Sequence, residues 1–248
     1  HGIILVTGPT GSGKSTTLYT ALSELNRETV NIVTVEDPVE ANIDGVNQIQ
    51  VNPKADMTFA SALRSILRQD PDIIMIGEIR DPETAEIAVQ ASITGHLVAS
   101  TLHTNSTSAS IARLLNMGIE PYLMADALVG VVAQRLVRKL CRCKRGREAT
   151  AQEKEELGVN QDEVLTIYEP AGCQLCSQTG YFGRTAVYEM MPVTPELRWA
   201  ITKMQPSSKV KEIAQREGMI TLRGSAVRLV REGVTSLEEM KKIASEED

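Results

Sequence analysis

Apolar residues come as short continuous runs in the first hundred positions and at helical spacing towards the end of the chain. Gly2-Ile3-Ile4-Leu5-Val6-Thr7, Ile32-Val33-Thr34-Val35, Ile73-Ile74-Met75-Ile76 and Leu97-Val98-Ala99-Ser100-Thr101 carry apolar residues on both faces. That is the pattern of strands buried in a parallel sheet. Between them, Ser15 to Leu22 predicts a helix. A second helix, capped by Thr58, runs to about Gln69, where Asp70-Pro71 stops it. Asp81-Pro82-Glu83-Thr84 opens a third, with an N-cap, a proline at N1 and an acidic first turn, ending near Gly95. Residues 44–52 read as an irregular or hairpin excursion. The alternation predicts an α/β sheet with crossover helices.

From 106 to 140 the pattern reads as helical. One helix contains Ser110 to Leu115 and ends at Gly118, and Pro121 starts the next. The apolar stretch Leu123 to Val137 is interrupted by Asp126, Gln134 and Arg135, and predicts a core helix rather than a membrane span. Residues 141–183 hold all four cysteines, an acidic stretch from Glu153 to Glu156 and several turn signals; Arg184 to Met190 predicts a strand. The remainder predicts helices: one starting at Thr194-Pro195, one over Ser208 to Arg216, one ending before Gly233, and a last one opened by the capping box Ser236-Leu237-Glu238-Glu239.

Against this background one motif stands out. Gly8-Pro9-Thr10-Gly11-Ser12-Gly13-Lys14-Ser15, followed by Thr16, satisfies G-x-x-x-x-G-K-[ST] between a predicted strand and a predicted helix. Glycines there let backbone N–H groups wrap a phosphate chain, and the helix presents its positive dipole end to the same anion. Lys14 would reach the β- and γ-phosphates, and Ser15 would offer its hydroxyl to Mg²⁺. Glu78 ends an apolar strand, where P-loop proteins place an acid that faces Mg²⁺ or the attacking water, although Gly77-Glu78 replaces the usual Asp or Asp-Glu. Glu36, Asp37 and Glu40 cluster after the second strand, where an open α/β sheet holds its site and a carboxylate can activate water. His96 and His103 flank one strand; spacing alone puts His103 near its carboxyl end and His96 nearer a subunit boundary, and leaves both open to a structural role.

Composition narrows the classes. The 248 residues suffice for one large domain, or one domain with a small appendage. A net charge of −6 and 3% aromatic residues argue against a base-stacking or globally basic nucleic-acid module, so no nucleic-acid partner is expected. The local cluster Arg135, Arg138, Lys139, Arg142, Lys144, Arg145 and Arg147 reads as a solvated helix end and loop. No signal peptide is visible, and a P-loop implies cytoplasmic nucleotide and reduced cysteines. Cys141-x-Cys143 and Cys173-x-x-Cys176, separated by residues 144–172, then suit a closed tetrahedral Zn²⁺ site, against the alternative of four inert thiols. The start at His1-Gly2, directly on the first strand, suggests a domain of a longer polypeptide.

Together the motifs resemble the secretion and pilus-assembly ATPase superfamily over essentially the whole chain. Gly8 to Thr17 matches its Walker A motif, Thr34 to Glu40 its Asp box, Gly77-Glu78-Ile79-Arg80-Asp81 its Walker B motif and Gly95 to Thr104 its His box. The cysteine pairs, with Gly180 to Thr185 after them, are similar to the branch carrying a zinc module, which holds the type II secretion E-protein and the type IV pilus extension ATPase. Pilus retraction ATPases generally lack these cysteines. Ala41 stands where the family often has an aromatic residue, and the first cysteine pair is one residue short.

The resemblance implies a RecA-like core with a parallel-rich sheet over residues 1–138. A tetracysteine zinc-binding module follows over 139–190 and a C-terminal helical subdomain over 191–248; the family's N-terminal domain, which contributes arginines to the nucleotide site, is absent. It also implies an ATP hydrolase acting as a homo-hexamer at the cytoplasmic face of the inner membrane, with ATP, Mg²⁺ and Zn²⁺. There Glu40 activates water, Glu78 is the Walker B acid, and His96 and His103 are the His-box pair. A membrane platform protein and a cytoplasmic adaptor would be the partners, holding the motor peripherally on the membrane. The type IV pilus extension ATPase is the alternative within the superfamily. A RecA-like nucleic-acid motor with a zinc ribbon, or a non-hydrolysing nucleotide-controlled scaffold, are the alternatives outside it.

Overall fold

The computed structural model describes residues 1–244. In chain order the elements are β1 (Gly2–Thr7), α1 (Lys14–Leu25), β2 (Ile32–Glu36), β3 (Asn47–Gln50), α2 (Phe59–Ile66), β4 (Ile73–Ile76), α3 (Pro82–Ile93), β5 (Leu97–Leu102), α4 (Thr107–Asn116) and α5 (Pro121–Ala127). Then follow β6 (Leu128–Leu140), β7 (Arg145–Glu148), α6 (Ala151–Glu156), β8 (Thr166–Glu169), β9 (Tyr181–Pro192), α7 (Pro195–Thr202), α8 (Ser207–Arg216), α9 (Leu222–Arg231) and α10 (Leu237–Ala244).

The chain forms two compact units, each built from separated segments. The first comprises His1–Ala133 and Met190–Met219, the second Gln134–Glu189 and Ile220–Asp248. The main sheet has the strand order β3-β2-β4-β5-β1-β6-β9. β2 pairs in parallel with β3 and β4, β5 with β4 and β1, and β1 with β6. The β1–β6 pairing covers Ile3 to Thr7 against Leu128 to Ala133. Helices then cover both faces: Leu5, Val35, Ile74, Ile76 and Val98 enter one core with α2, α3, α4 and α5, while Val6, Ile32, Met75 and Ala99 pack with Leu18 and Leu22 of α1. Apolar residues on both sides of each strand make this two-faced burial obligatory.

Side-chain caps set the helix starts. Thr58 and Ser61 form a reciprocal capping box at α2. Asp81 accepts from Thr84 N–H at 2.8 Å and from the Thr84 hydroxyl at 2.9 Å at α3. Thr194 caps α7, and Thr150 with Glu153 forms a box at α6.

Four expectations are corrected. Residues 44–52 are not an irregular or hairpin excursion, since Asn47–Gln50 within them is an edge strand parallel to β2; its sequence Asn-Gln-Ile-Gln hides it, because an edge strand half in solvent needs no apolar run. The helix predicted through Val137 stops at Ala127, and Leu128–Leu140 is strand. Val129, Val131, Val132 and Val137 are β-branched, which suits the extended form, and β1 pairs with Leu128 to Ala133 across one bulge. The basic cluster consequently lies on β6, on β7 and in the turn between them, not at a helix end. α2 also ends at Ile66, three residues early. Among the described residues no helix is long and apolar enough to cross a membrane.

The α3 cap gives a direct test. Asp81→Ala removes both bonds to Thr84 and is expected to lower stability by about 1 kcal/mol, read as a lower urea midpoint. An unchanged midpoint would show that the cap contributes nothing to this unit.

Candidate functional site

The glycine-rich loop joins β1 to α1. Gly13, at the N-cap of α1, has φ of 86°, a left-handed conformation that an L side chain resists, and no side chain caps the helix. The amide groups of the first turn therefore face the loop, ready for an anion. Lys14 folds back across it, its Nζ donating to Gly8 O at 2.8 Å and Pro9 O at 3.0 Å. Pro9, Thr10, Gly11 and Thr16 are exposed, while Gly8, Ser12 and Lys14 are buried.

Three carboxylates approach the same edge of the sheet in different settings. Glu36, the last residue of β2, is only 4% exposed. It accepts from Thr34 Oγ1 at 2.5 Å, from Gln48 Nε2 at 3.1 Å and from the Tyr19 hydroxyl. Glu40, in the exposed loop that follows, accepts from Ser15 Oγ at 2.9 Å, so a carboxylate 25 positions away meets the hydroxyl of the glycine-rich motif. Glu78 is ion-paired with Arg80 and lies 3.4 Å from His103 Nε2.

The Gly-Glu pair that replaces the usual acid has a steric reason. A Cβ at Gly77 would lie 3.3 Å from both Glu36 Cα and Val35 O, so β2 packs against the bare backbone there. Gly77 is held further by its N–H to Val35 O at 2.8 Å and by the Thr101 hydroxyl on its carbonyl at 2.7 Å. On the other side of β5, Thr7 Oγ1 accepts from Thr104 N–H at 2.9 Å, tying the end of β1 to the segment after His103.

The structure thus brings Glu40 to Ser15, and His103 to Glu78. It places His96 at the opposite end of β5, where Nδ1 lies 2.9 Å from Ala91 O. Two residues of this site escaped the sequence reading, Tyr19 and Gln48. Tyr19 carried a signal, standing at i+4 from Ser15 on the same face of α1. Gln48 carried none, since its strand was not recognised.

The second unit holds the cysteines. All four sulfurs lie within 4.8 Å of one another, with Cys141–Cys173 at 3.8 Å, Cys143–Cys176 at 3.9 Å and Cys173–Cys176 at 3.7 Å. Four thiolates at the ~2.3 Å Zn–S distance would be about 3.8 Å apart in a tetrahedron. The donor set therefore fits a tetrahedral metal, and the short C-x-C spacing does not prevent Cys143 from reaching it. Burial opposes ionisation of Cys176, but N–H donors from Cys173 and Gly180 overcome it and bring the thiol down to about 6. Burial and the neighbouring thiols push Cys143 up to about 11.

The same unit contains an ion pair whose carboxylate is buried and whose guanidinium is part exposed. Glu239 accepts from Arg138 through its N–H at 2.9 Å, its Nε at 3.1 Å and its Nη2 at 2.8 Å, and Arg138 stacks on Tyr181 with 3.9 Å to the ring centroid. At the start of α10, Ser236 Oγ accepts from Glu239 N–H at 3.3 Å, but the Glu239 carboxylate turns to Arg138 and Lys242.

Comparison with known proteins places these features in a family context. The family described as Type II/IV secretion system protein matches residues 1–242. Over 247 residues the chain is 52% identical to the type II secretion system ATPase E of Vibrio cholerae, covering 99% of this chain and 49% of that protein. It is also 52% identical over 244 residues to the type IV pilus assembly ATPase PilB of Myxococcus xanthus, covering 97% of this chain and 43% of that one. The chain thus spans about half the length of the curated relatives it matches. Among solved structures, the pilus retraction motor PilT with bound ADP aligns over 98% of this chain and 61% of its own, with a TM-score of 0.73 and 30% identity.

The Glu239 pair sets an acid sensitivity. Burial opposes the charge, but Arg138 and Lys242 outweigh it and hold the carboxyl at about 2, below its ordinary 4.5. Its stabilisation is complete above pH 4.5 and is lost as pH falls towards 2. Glu239→Gln is expected to cost about 1–3 kcal/mol at pH 7 and to flatten the stability profile between those values, as followed by pH-dependent urea unfolding. An unchanged profile would remove the pair from the acid response.

Proposed function

The chain belongs to the Type II/IV secretion system protein family, and we propose that it is the motor half of an ATP hydrolase that drives pseudopilus or pilus assembly and protein export. The observation that carries this reading is the 2.9 Å hydrogen bond from Ser15 to Glu40, which joins the phosphate-loop hydroxyl to a carboxylate supplied by the loop after β2.

The chemistry follows from the placement of each group. Backbone N–H groups of the Gly8–Thr16 loop hold the phosphate chain, and Lys14 neutralises the β- and γ-phosphates. Ser15 would hold Mg²⁺ through its hydroxyl, and the ion would supply charge neutralisation to the phosphates. Glu40 accepts a proton from water as the water oxygen bonds to the γ-phosphorus and the bond to the ADP oxygen breaks, leaving ADP and inorganic phosphate. Glu78, paired with Arg80, serves as the acid at the end of β4, and His103 beside it responds to the γ-phosphate. His96, at the other end of β5, faces a subunit boundary of a homo-hexamer.

The hexamer works at the cytoplasmic face of the inner membrane. It is held there peripherally by a platform protein and an adaptor, and an N-terminal domain completes its nucleotide sites. Cys141, Cys143, Cys173 and Cys176 would hold Zn²⁺ as a structural metal that ties the second unit together, since four thiolates would leave no open coordination position.

Two experiments test this reading. Phosphate release from ATP should rise in specific activity with protein concentration. Lys14→Ala should abolish both nucleotide binding and turnover, whereas Glu40→Gln should bind ATP and lose about 10²–10⁴-fold in turnover. Normal hydrolysis in Glu40→Gln would remove Glu40 from its role. Separately, Cys173→Ser should lower bound zinc and melting temperature together, with ATP binding retained. Full stability without zinc would refute a structural metal.

A further inference from the structure

Residues 37–46, which carry Glu40, form no helix or strand of their own. Side chains from neighbouring elements hold their backbone instead. Gln50 Oε1 accepts from Val39 N–H at 3.2 Å, and the Tyr19 hydroxyl accepts from Glu40 N–H at 3.1 Å. Gln48 grips the loop with both ends of its amide, donating to Ala41 O at 3.0 Å and accepting from Ile43 N–H at 2.7 Å. The Tyr19 hydroxyl donates in turn to Glu36, whose other oxygen is held by Thr34 and Gln48.

Tyr19 and Ser15 stand one turn apart on α1. Glu40 therefore meets this helix twice, through its N–H at Tyr19 and through its carboxylate at Ser15. A loop outside helix and strand has many conformations, and a misplacement of about 1 Å in a reacting group can cost about a hundredfold in rate. Two contacts on one rigid helix fix both ends of the Glu40 side chain relative to the phosphate loop.

We infer that Tyr19 and Gln48 are positioning residues for the hydrolytic step, holding the loop so that the Glu40 carboxylate stays in register with Ser15. The inference rests on the reading of Glu40 as the group that activates water. Burial first, and then the Glu36 carboxylate, raise the Tyr19 phenol above its ordinary value. It keeps its proton and remains the donor to Glu36 while it accepts from Glu40.

The test is steady-state ATP turnover in the full-length protein, with nucleotide affinity measured separately by binding of a fluorescent ATP analogue. Tyr19→Phe deletes one oxygen and keeps the ring that packs beside the α1 core. It is expected to lower kcat about tenfold to a hundredfold, with KM and affinity within about twofold. In Glu40→Gln the same change should have no further effect, because the two act as one unit. Gln48→Met cuts the Ala41, Ile43 and Glu36 ties while leaving the Tyr19 hydroxyl with both of its own bonds, and is expected to give a smaller loss confined to kcat; it decides the matter if Tyr19→Phe does not fold. Wild-type kcat, or a parallel loss of kcat and nucleotide affinity, overturns the inference. An inert Glu40→Gln beside a fully active Tyr19→Phe overturns the positioning role alone. A fully active Glu40→Gln overturns the water-activation reading on which it stands.

Discussion

The site depends on one register. β1, β5, β4 and β2 run parallel and in step, with Thr7 opposite Leu102, Ile76 opposite Ser100 and Val35 opposite Ile76. The glycine-rich loop, the Glu36–Glu40 segment, Gly77-Glu78 and His103 therefore all leave the sheet on its carboxyl edge. That is where an open α/β sheet collects its ligands. Both faces are buried, so a slip of one residue would exchange every side chain between the two cores and is strongly disfavoured. The closeness of Gly77 to the main chain of β2 is a further check, because any side chain there would push the two strand ends apart by a few tenths of an ångström.

Within this frame, three carboxylates of the same chemical type are given distinct surroundings. Glu36 is buried and held by neutral donors. Glu78 has a guanidinium beside it. Glu40 is exposed and bonded to a hydroxyl on the loop where an anion would sit. Environment, not residue type, separates a buried anchor from a carboxylate beside a guanidinium and from an exposed carboxylate at the glycine-rich loop.

Much of the core and of the phosphate loop was legible because the relevant residues are adjacent in sequence. The loop is one uninterrupted motif, and its strands are apolar runs that nothing but a doubly covered sheet explains. The cysteine pairs were legible for the same reason, and their sulfurs converge. What escaped was whatever depends on pairing between distant segments. Asn47–Gln50 is polar and becomes a strand only because β2 offers it an open edge, so Gln48 could not be linked to Glu36 or Ala41 beforehand. Leu128–Leu140 follows a well-marked helix start at Pro121, and its apolar content suits either period until β1 selects the extended form. Glu40 was visible as one of three clustered acids, but its meeting with Ser15 requires the loop to fold back over α1.

The interleaving of the two units carries a consequence for the order in which the chain is made. The first unit lacks Met190–Met219 until the ribosome has passed Met219, and the second lacks its last segment until the residues from Ile220 onward have been made. Neither can complete its core as an N-terminal domain folding first. The four cysteines, by contrast, are all available once Cys176 has emerged. The cysteine cluster is thus a long-range closure open to the nascent second unit, joining positions 141 and 176 before the helices that finish that unit exist.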